Sequence, residues 1–286
     1  MVLVNMRNPT RDGFKLNFKT PMVMGVLNLA PDSFYAGSRQ KNSEQALITA
    51  KKMAIEGAGI IDVGGEPTNP FNQQKVSLQQ ELDRVIPVIE KLSSEIDLPI
   101  SIDTSQPEVM HEAVKAGASL INDVRALRLP GAVEMAAKLN VPICLMHMRF
   151  LDQAQLGSDS SPLSMESIKL FLMERIAACT AQGIEQDKIF IDPGIGAGRF
   201  GKSLTENLQI LRYLAQLKSL GCPILVGVSR KLFIGELIEA APEDRLYASI
   251  AATTIAVYNG ANIIRSHDVK PTVDAVRLAA ATLEVV

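Results

Sequence analysis

Eight short apolar runs alternate with eight longer amphipathic stretches along almost the whole of this 286-residue chain. That alternation predicts an α/β fold, a single (β/α)8 TIM barrel. Three segments also share one pattern: Gly57-Ala58-Gly59-Ile60-Ile61-Asp62, Gly117-Ala118-Ser119-Leu120-Ile121-Asn122 and Gly260-Ala261-Asn262-Ile263-Ile264-Arg265. Each reads as a helix cap, a buried strand and a polar residue at the strand's carboxyl end. An open doubly wound sheet is the alternative, since element boundaries read from periodicity shift by a few residues, and any short joint from helix to strand resembles the shared pattern.

The predicted strands are 22–27, 59–63, 100–103, 120–123, 143–147, 188–192, 224–227 and 262–266. The predicted helices are 43–56, 78–92, 107–116, 131–139, 165–182, 205–220, 243–258 and 271–283. Ser43 before Glu44, Ser77, Pro107 and Pro271 mark helix starts. Gly57, Gly117, Gly183, Gly221 and Gly260 mark helix ends, where a left-handed cap favours glycine. Residues 12–18 alternate and read as an N-terminal β-hairpin arm closing the barrel floor. The expected organisation is an arm over 1–20 and a barrel over 21–286, one domain overall.

Composition narrows the function. The 29 basic and 31 acidic residues leave a net charge of -2, without the basic excess of a protein that grips nucleic acid by charge. No apolar run approaches the roughly 18 residues of a membrane span, and the polar start is unlike a signal peptide. Cys144, Cys179 and Cys222 are scattered in apolar contexts, which points to a reducing, cytoplasmic compartment. A cytoplasmic globular enzyme, of a kind that composition does not specify, with no nucleic-acid or membrane partner, is the expectation.

In a barrel of this kind the chemistry sits at the carboxyl ends of the strands. Those ends carry Asn28; Asp62 and the glycine-rich 64–70; Asp103; Asn122 with Asp123; His147; Asp192; Ser229-Arg230-Lys231; and Arg265 with His267 and Asp268. A single strand-end Asp is commonly a cap or loop staple, but polar groups at every end are costly to bury without a ligand. Asp103, Asn122, Asp192 and Lys231 supply the mixed donors and acceptors that read the edge of a flat nitrogen heterocycle. Ser229, Arg230, Arg265 and His267, with Asn28, suit an anion such as a phosphate. A heterocycle joined to a phosphate-type leaving group is the ligand this set predicts.

One motif points elsewhere. Gly196-Ala197-Gly198-Arg199-Phe200-Gly201-Lys202-Ser203 fits the G-x-x-x-x-G-K-[ST] phosphate loop. It follows an Asp-Pro at the sixth strand and is not accompanied by a convincing later Mg²⁺-binding Asp. No HExxH or paired Cys supports a zinc site, and no G-x-S-x-G supports a serine hydrolase. His111 reads as a surface residue and His147 as either a ligand group or a satisfied barrel histidine. A hard cation such as Mg²⁺, held by Asn28 and ligand oxygens, fits the set.

At these residues the chain resembles a known family. Met24-Gly25-Val26-Leu27-Asn28-Leu29-Ala30-Pro31-Asp32-Ser33-Phe34 and Ile61-Asp62-Val63-Gly64-Gly65-Glu66-Pro67-Thr68-Asn69-Pro70 are similar to the opening motifs of the dihydropteroate synthases, which are pterin-binding enzymes. The likeness continues in order through Ser101-Ile102-Asp103-Thr104, Ile121-Asn122-Asp123, Leu145-Met146-His147-Met148, Asp192-Pro193-Gly194, Gly227-Val228-Ser229-Arg230-Lys231 and Ile264-Arg265-Ser266-His267-Asp268. It implies a cytoplasmic, Mg²⁺-dependent, homodimeric barrel of folate biosynthesis and a target of sulfonamides. Such transferases join 4-aminobenzoate to 6-hydroxymethyl-7,8-dihydropterin diphosphate and release pyrophosphate. By this resemblance Asp103, Asn122, Asp192 and Lys231 bind the pterin; Thr68, Arg265, Ser266 and His267 take the pterin diphosphate; Asn28 holds Mg²⁺; and Phe34, Pro70 and Ser229 line the aminobenzoate pocket. Asp103, Lys231 and Arg265 are the implied catalytic groups.

The chain departs from that pattern in places. Asn69 stands where the family usually has arginine, Ala30 where it has threonine, and the stretch around 199–201 is longer. Arg199 or Arg39 is a candidate to replace the missing loop charge. Two alternatives follow from these departures and from the shared barrel: a non-catalytic pterin-binding paralogue, and a methyltransferase passing a methyl group from methyltetrahydrofolate to a corrinoid protein.

Overall fold

The computed structural model describes residues 20–29, 43–66, 76–150, 163–197 and 200–285. The expected arm at 12–18 and the residues Ala30, Phe34, Arg39, Thr68, Asn69, Pro70 and Arg199 lie outside them.

Eight parallel strands form the sheet: β1 (Met22–Asn28), β2 (Ile60–Gly64), β3 (Ile100–Asp103), β4 (Leu120–Asp123), β5 (Ile143–Met146), β6 (Ile189–Asp192), β7 (Leu225–Gly227) and β8 (Ile263–Ser266). Their order is β6-β5-β4-β3-β2-β1-β8-β7. A parallel bridge between Ile191 and Ile224 brings the outermost two strands together, with Ile191 N–H donating to Pro223 O at 2.9 Å. A doubly wound sheet reverses its strand order partway; this cyclic order and the bridge define a nearly closed barrel instead.

The helices are α1 (Ser43–Glu56), α2 (Leu78–Glu95), α3 (Pro107–Ala116), α4 (Ala132–Leu139), α5 (Met165–Ala181), α6 (Leu204–Tyr213), α7 (Leu232–Ile238), α8 (Leu246–Tyr258) and α9 (Val269–Glu284). Serine starts three of them: Ser77, Ser164 and Ser203 each accept from the backbone N–H three residues on and close a capping box, satisfying donors the helix leaves open. Among the described residues no helix is long and apolar enough to cross a membrane.

Strand alternation sorts the core into two parts. Ile61, Val63, Ile102, Ile121, Leu145, Ile191, Val226 and Ile264 face the helices in the main cluster. Met24, Ile60, Leu120, Cys144, Phe190, Leu225 and Ile263 form a separate apolar plug inside the barrel. Two residues further along each strand, toward the carboxyl ends, the inward positions become Val26, Asp62, Asn122, Met146, Asp192, Gly227 and Arg265, with Asp103 two beyond the buried Ser101. The apolar plug is therefore a floor, and a polar layer lies directly above it.

The observed elements differ from the expected ones in three places. Helix α7 was not anticipated: a seven-residue apolar segment is too short to show a helical period, and Gly235 inside it reads as a breaker. The Arg245 guanidinium packs on that glycine, 2.3 Å from where a Cβ would stand, so a side chain there would have to displace it. The expected helix 205–220 divides into α6 and a 3₁₀ segment, Leu214–Leu220. The expected start at 243 is a 3₁₀ turn, Pro242–Arg245, leading into α8.

Candidate active site

The polar layer is held together by one arginine. Arg265 Nε donates to Asp62 Oδ2 at 2.6 Å and its Nη2 donates to Asp103 Oδ2 at 2.8 Å. Asn122 Nδ2 donates to the same Asp62 oxygen at 3.2 Å. Residues from β2, β3, β4 and β8 thus meet at one level. Burial opposes the charge on Arg265, but Asp62 and Asp103 outweigh it and keep the guanidinium firmly protonated. Asp62 is fully buried, and its Oδ1 has no hydrogen-bond partner among the described residues. A buried carboxylate oxygen of this kind has the capacity to accept a further hydrogen bond.

Asp192 closes another side. Its Oδ1 accepts from Gly194 N–H at 2.6 Å. Burial raises its pKa to about 6, opposed by the Gly194 bond and by Lys231, Lys202 and Arg265. Gly194 has φ +70, and a Cβ there would lie 1.9 Å from His147 O. Glycine is therefore required where the loop after β6 runs against the end of β5.

Lys231 precedes α7, and its Nζ lies 4.6 Å from the centre of the Phe200 ring, a cation–π contact. Ser229 Oγ and His267 Nδ1 are 3.1 Å apart, and Ser229 Oγ accepts from His267 N–H at 3.2 Å. Burial, then Arg265, lowers the His267 pKa to about 3, so the imidazole is neutral at pH 7. Asn28 ends β1 and is buried.

Behind the mouth, the root of the loop after β2 is tied down. Arg84 Nη1 donates to Gly65 O at 2.8 Å, and Arg125 lies 3.4 Å from Glu66. Glu81 of α2 is buried beneath this root; burial raises its pKa to about 7, a hydrogen bond with Thr104 opposes the rise, and Glu66 and Asp103 add to it.

Several of the polar residues at the strand ends also make bonds within the protein. Arg230, grouped above with the anion-binding set, forks onto Asp268 at 2.8 and 2.9 Å and donates to Pro242 O and Glu243 O. It fixes the turn between β7 and α7. Ser266 shares its hydroxyl with Thr272 Oγ1 at 2.9 Å and accepts from Asp268 N–H at 3.1 Å, at the start of α9. Asp123 accepts from Ser105 Oγ and from the N–H groups of Arg125 and Leu127, stapling the turn after β4. His147 is buried with its ring edge-on to Phe171, centroids 4.9 Å apart, and burial above all lowers its pKa to about 2.

The phosphate-loop likeness also resolves. Ser203 caps α6 and donates to Glu206 Oε2 at 2.8 Å, while Lys202 turns inward and is buried. Asp62 is the residue to which the sequence reading gave no role. Alternation could have found it: with Ile61 and Val63 facing the helices, Asp62 must point inward.

A (β/α)8 barrel whose mouth carries three carboxylates, an amide, a lysine and a clamped arginine defines an enzyme that reads a small polar heterocycle. Comparison with known proteins specifies which. The pterin binding enzyme family matches residues 24–267. The dihydropteroate synthase of Escherichia coli K12 is 44% identical over 271 residues, 95% of each chain. A Coxiella burnetii dihydropteroate synthase solved with pteroic acid superposes with TM-score 0.89 at 45% identity, covering 98% of this chain and 99% of that one. The Yersinia pestis enzyme solved with a sulfonamide superposes with TM-score 0.89 at 44% identity, covering 96% and 98%. The chain belongs to the pterin-binding enzyme family, among its dihydropteroate synthases.

Proposed function

We propose that the barrel mouth condenses 4-aminobenzoate with (7,8-dihydropterin-6-yl)methyl diphosphate, giving 7,8-dihydropteroate and pyrophosphate. The observation that carries this reading is the Asp62–Arg265–Asp103 clamp above an apolar floor. It presents acceptors for the N–H edge of a pterin beside a cation suited to a diphosphate. Asp62, Asp103, Asn122 and Asp192 read the ring, and Lys231 meets its acceptor atoms. Arg265 and His267 face the diphosphate, where negative charge grows as the C–O bond breaks. Positive charge left on the pterin methylene spreads into the electron-rich ring, beside the carboxylates of Asp103 and Asp192. The arylamine attacks this carbon with its nitrogen lone pair and loses its proton afterwards. By the family likeness Thr68 would contribute to binding the diphosphate, and Phe34, Pro70 and Ser229 to binding 4-aminobenzoate, with which a sulfonamide would compete.

Among the described residues no group of three or more His, Cys, Asp and Glu side chains stands ready to hold an ion. One buried amide, Asn28, fits Mg²⁺ in a different way, because this ion is commonly held by few protein ligands together with phosphate oxygens. When bound, Mg²⁺ would offset the charge of the departing diphosphate. Asn28, at the end of β1, would supply one oxygen to such an ion.

The enzyme acts in the cytoplasm as a homodimer, with residues 1–20 as an arm and 21–286 as the barrel. Three buried, free cysteines suit a reducing compartment. Exposed apolar side chains on the last helices, among them Tyr247, Ile255, Tyr258, Leu278 and Leu283, support a dimer face there.

Chromatography for 7,8-dihydropteroate after incubation with both substrates and Mg²⁺ tests the reading. Product is expected. Pterin binding without product would instead mark a non-catalytic paralogue, and methyl transfer to a corrinoid protein would mark a methyltransferase.

A further inference from the structure

Lys202, the lysine of the glycine-rich stretch that mimics a phosphate loop, has no part in the reading above. Its side chain is buried, 3% exposed. Nζ donates to Phe200 O at 3.0 Å, within its own loop, and to His147 O at 3.2 Å, just past the end of β5. The same nitrogen would lie 3.2 Å from a Cβ on Gly194, so it fills the seam where the loops after β5 and β6 touch. Asn207 of α6 holds both ends of this stretch, accepting from Gly196 N–H at 2.8 Å and donating to Lys202 O at 3.3 Å.

The seam leads to the mouth. The Phe200 ring packs on the bare Cα of Gly196, where a Cβ would lie 2.5 Å from a ring carbon. At 4.6 Å from the centre of that ring stands Lys231 Nζ. A methionine would fill the same space as Lys202 without the cost of burying an ammonium group. What the lysine adds is the pair of bonds to two carbonyls on two loops. Burial lowers its pKa to about 7, with Asp192 opposing the shift and Lys231 adding to it, so Lys202 lies in the field of the same charged groups that form the site.

We propose that Lys202 is a positioning residue: by bridging the His147 and Phe200 carbonyls it seats the Phe200 ring beneath Lys231 and so sets where that ammonium group meets the pterin. The inference rests on the reading that Lys231 binds pterin.

Steady-state kinetics of Lys202→Met, Phe200→Leu, their double variant and Lys231→Met, each confirmed folded by circular dichroism, test it. Lys202→Met is expected to raise the KM for the pterin diphosphate about tenfold while kcat changes by less than about threefold, with the double variant no worse than the poorer single one, because both act through one ring. A folded Lys202→Met enzyme with unchanged pterin KM would overturn the proposal, as would effects of Lys202→Met and Phe200→Leu that multiply independently. If Lys202→Met does not fold, Lys202→Gln takes its place, and an unchanged pterin KM in that variant or in Phe200→Leu overturns the proposal equally. Lys231→Met separates the two levels. An unchanged pterin KM there rejects the site reading itself. A raised one beside a normal Lys202→Met rejects the positioning role alone.

Discussion

Arg265 on β8 reaches past β1 to bond Asp62 on β2 and Asp103 on β3, at 2.6 and 2.8 Å. The intervening inward residue on β1, Val26, has no polar side-chain atom to stop it nearer. The fork geometry matters: two different N–H groups of one planar cation serve two carboxylates. Lysine presents a compact charge and cannot reproduce that span. Arg265→Lys is expected to lower kcat/KM for the pterin diphosphate by about 100-fold, read by steady-state kinetics, with the far-ultraviolet circular dichroism of the folded barrel retained.

Asp192 gives the site a pH dependence of definite sign. Its pKa, raised to about 6 chiefly by burial, leaves the carboxylate ionised above that pH and protonated below it. An ionised Asp192 accepts from pterin N–H groups, and a protonated one loses much of that capacity. Pterin affinity measured by calorimetry should therefore fall as pH drops through about 6. In Asp192→Asn the affinity should be weak throughout and lack that acid limb.

The floor under the site makes a stability prediction separate from chemistry. Phe190 is among the largest fully buried side chains and belongs to the plug inside the barrel. Phe190→Ala should lower unfolding free energy by about 3–5 kcal/mol, measured by denaturant titration. It leaves every polar group of the mouth in place.

Much of this was legible in the sequence because barrel strands alternate between two apolar environments. Isoleucine, leucine and valine mark both faces until the carboxyl end, where one face turns polar. Asp103, Asn122, Asp192 and Arg265 stood out for that reason, whereas Lys231 lies in the loop beyond β7. The less legible parts depended on direction. Arg230 and Lys231 are neighbours of like charge, yet Arg230 has φ +54 and its guanidinium runs to Asp268, whereas Lys231 stands against Phe200. Nothing in a list of residues separates them. Helix α7 was hidden by its shortness. Lys202 sits in a stretch that matches a nucleotide-binding pattern only by chance, and no sequence pattern marks its real partners, carbonyls supplied by two loops.

The most direct test of the central claim, that the polar layer above the plug is the pterin site, is pyrophosphate release by Asp103→Asn with both substrates and Mg²⁺ present. The amide keeps the size of the carboxylate but loses its charge beside Arg265 and the substrate. Turnover is expected to fall by about two to three orders of magnitude in a protein that remains folded. Near-normal release by this variant would contradict that claim and remove Asp103 from the site.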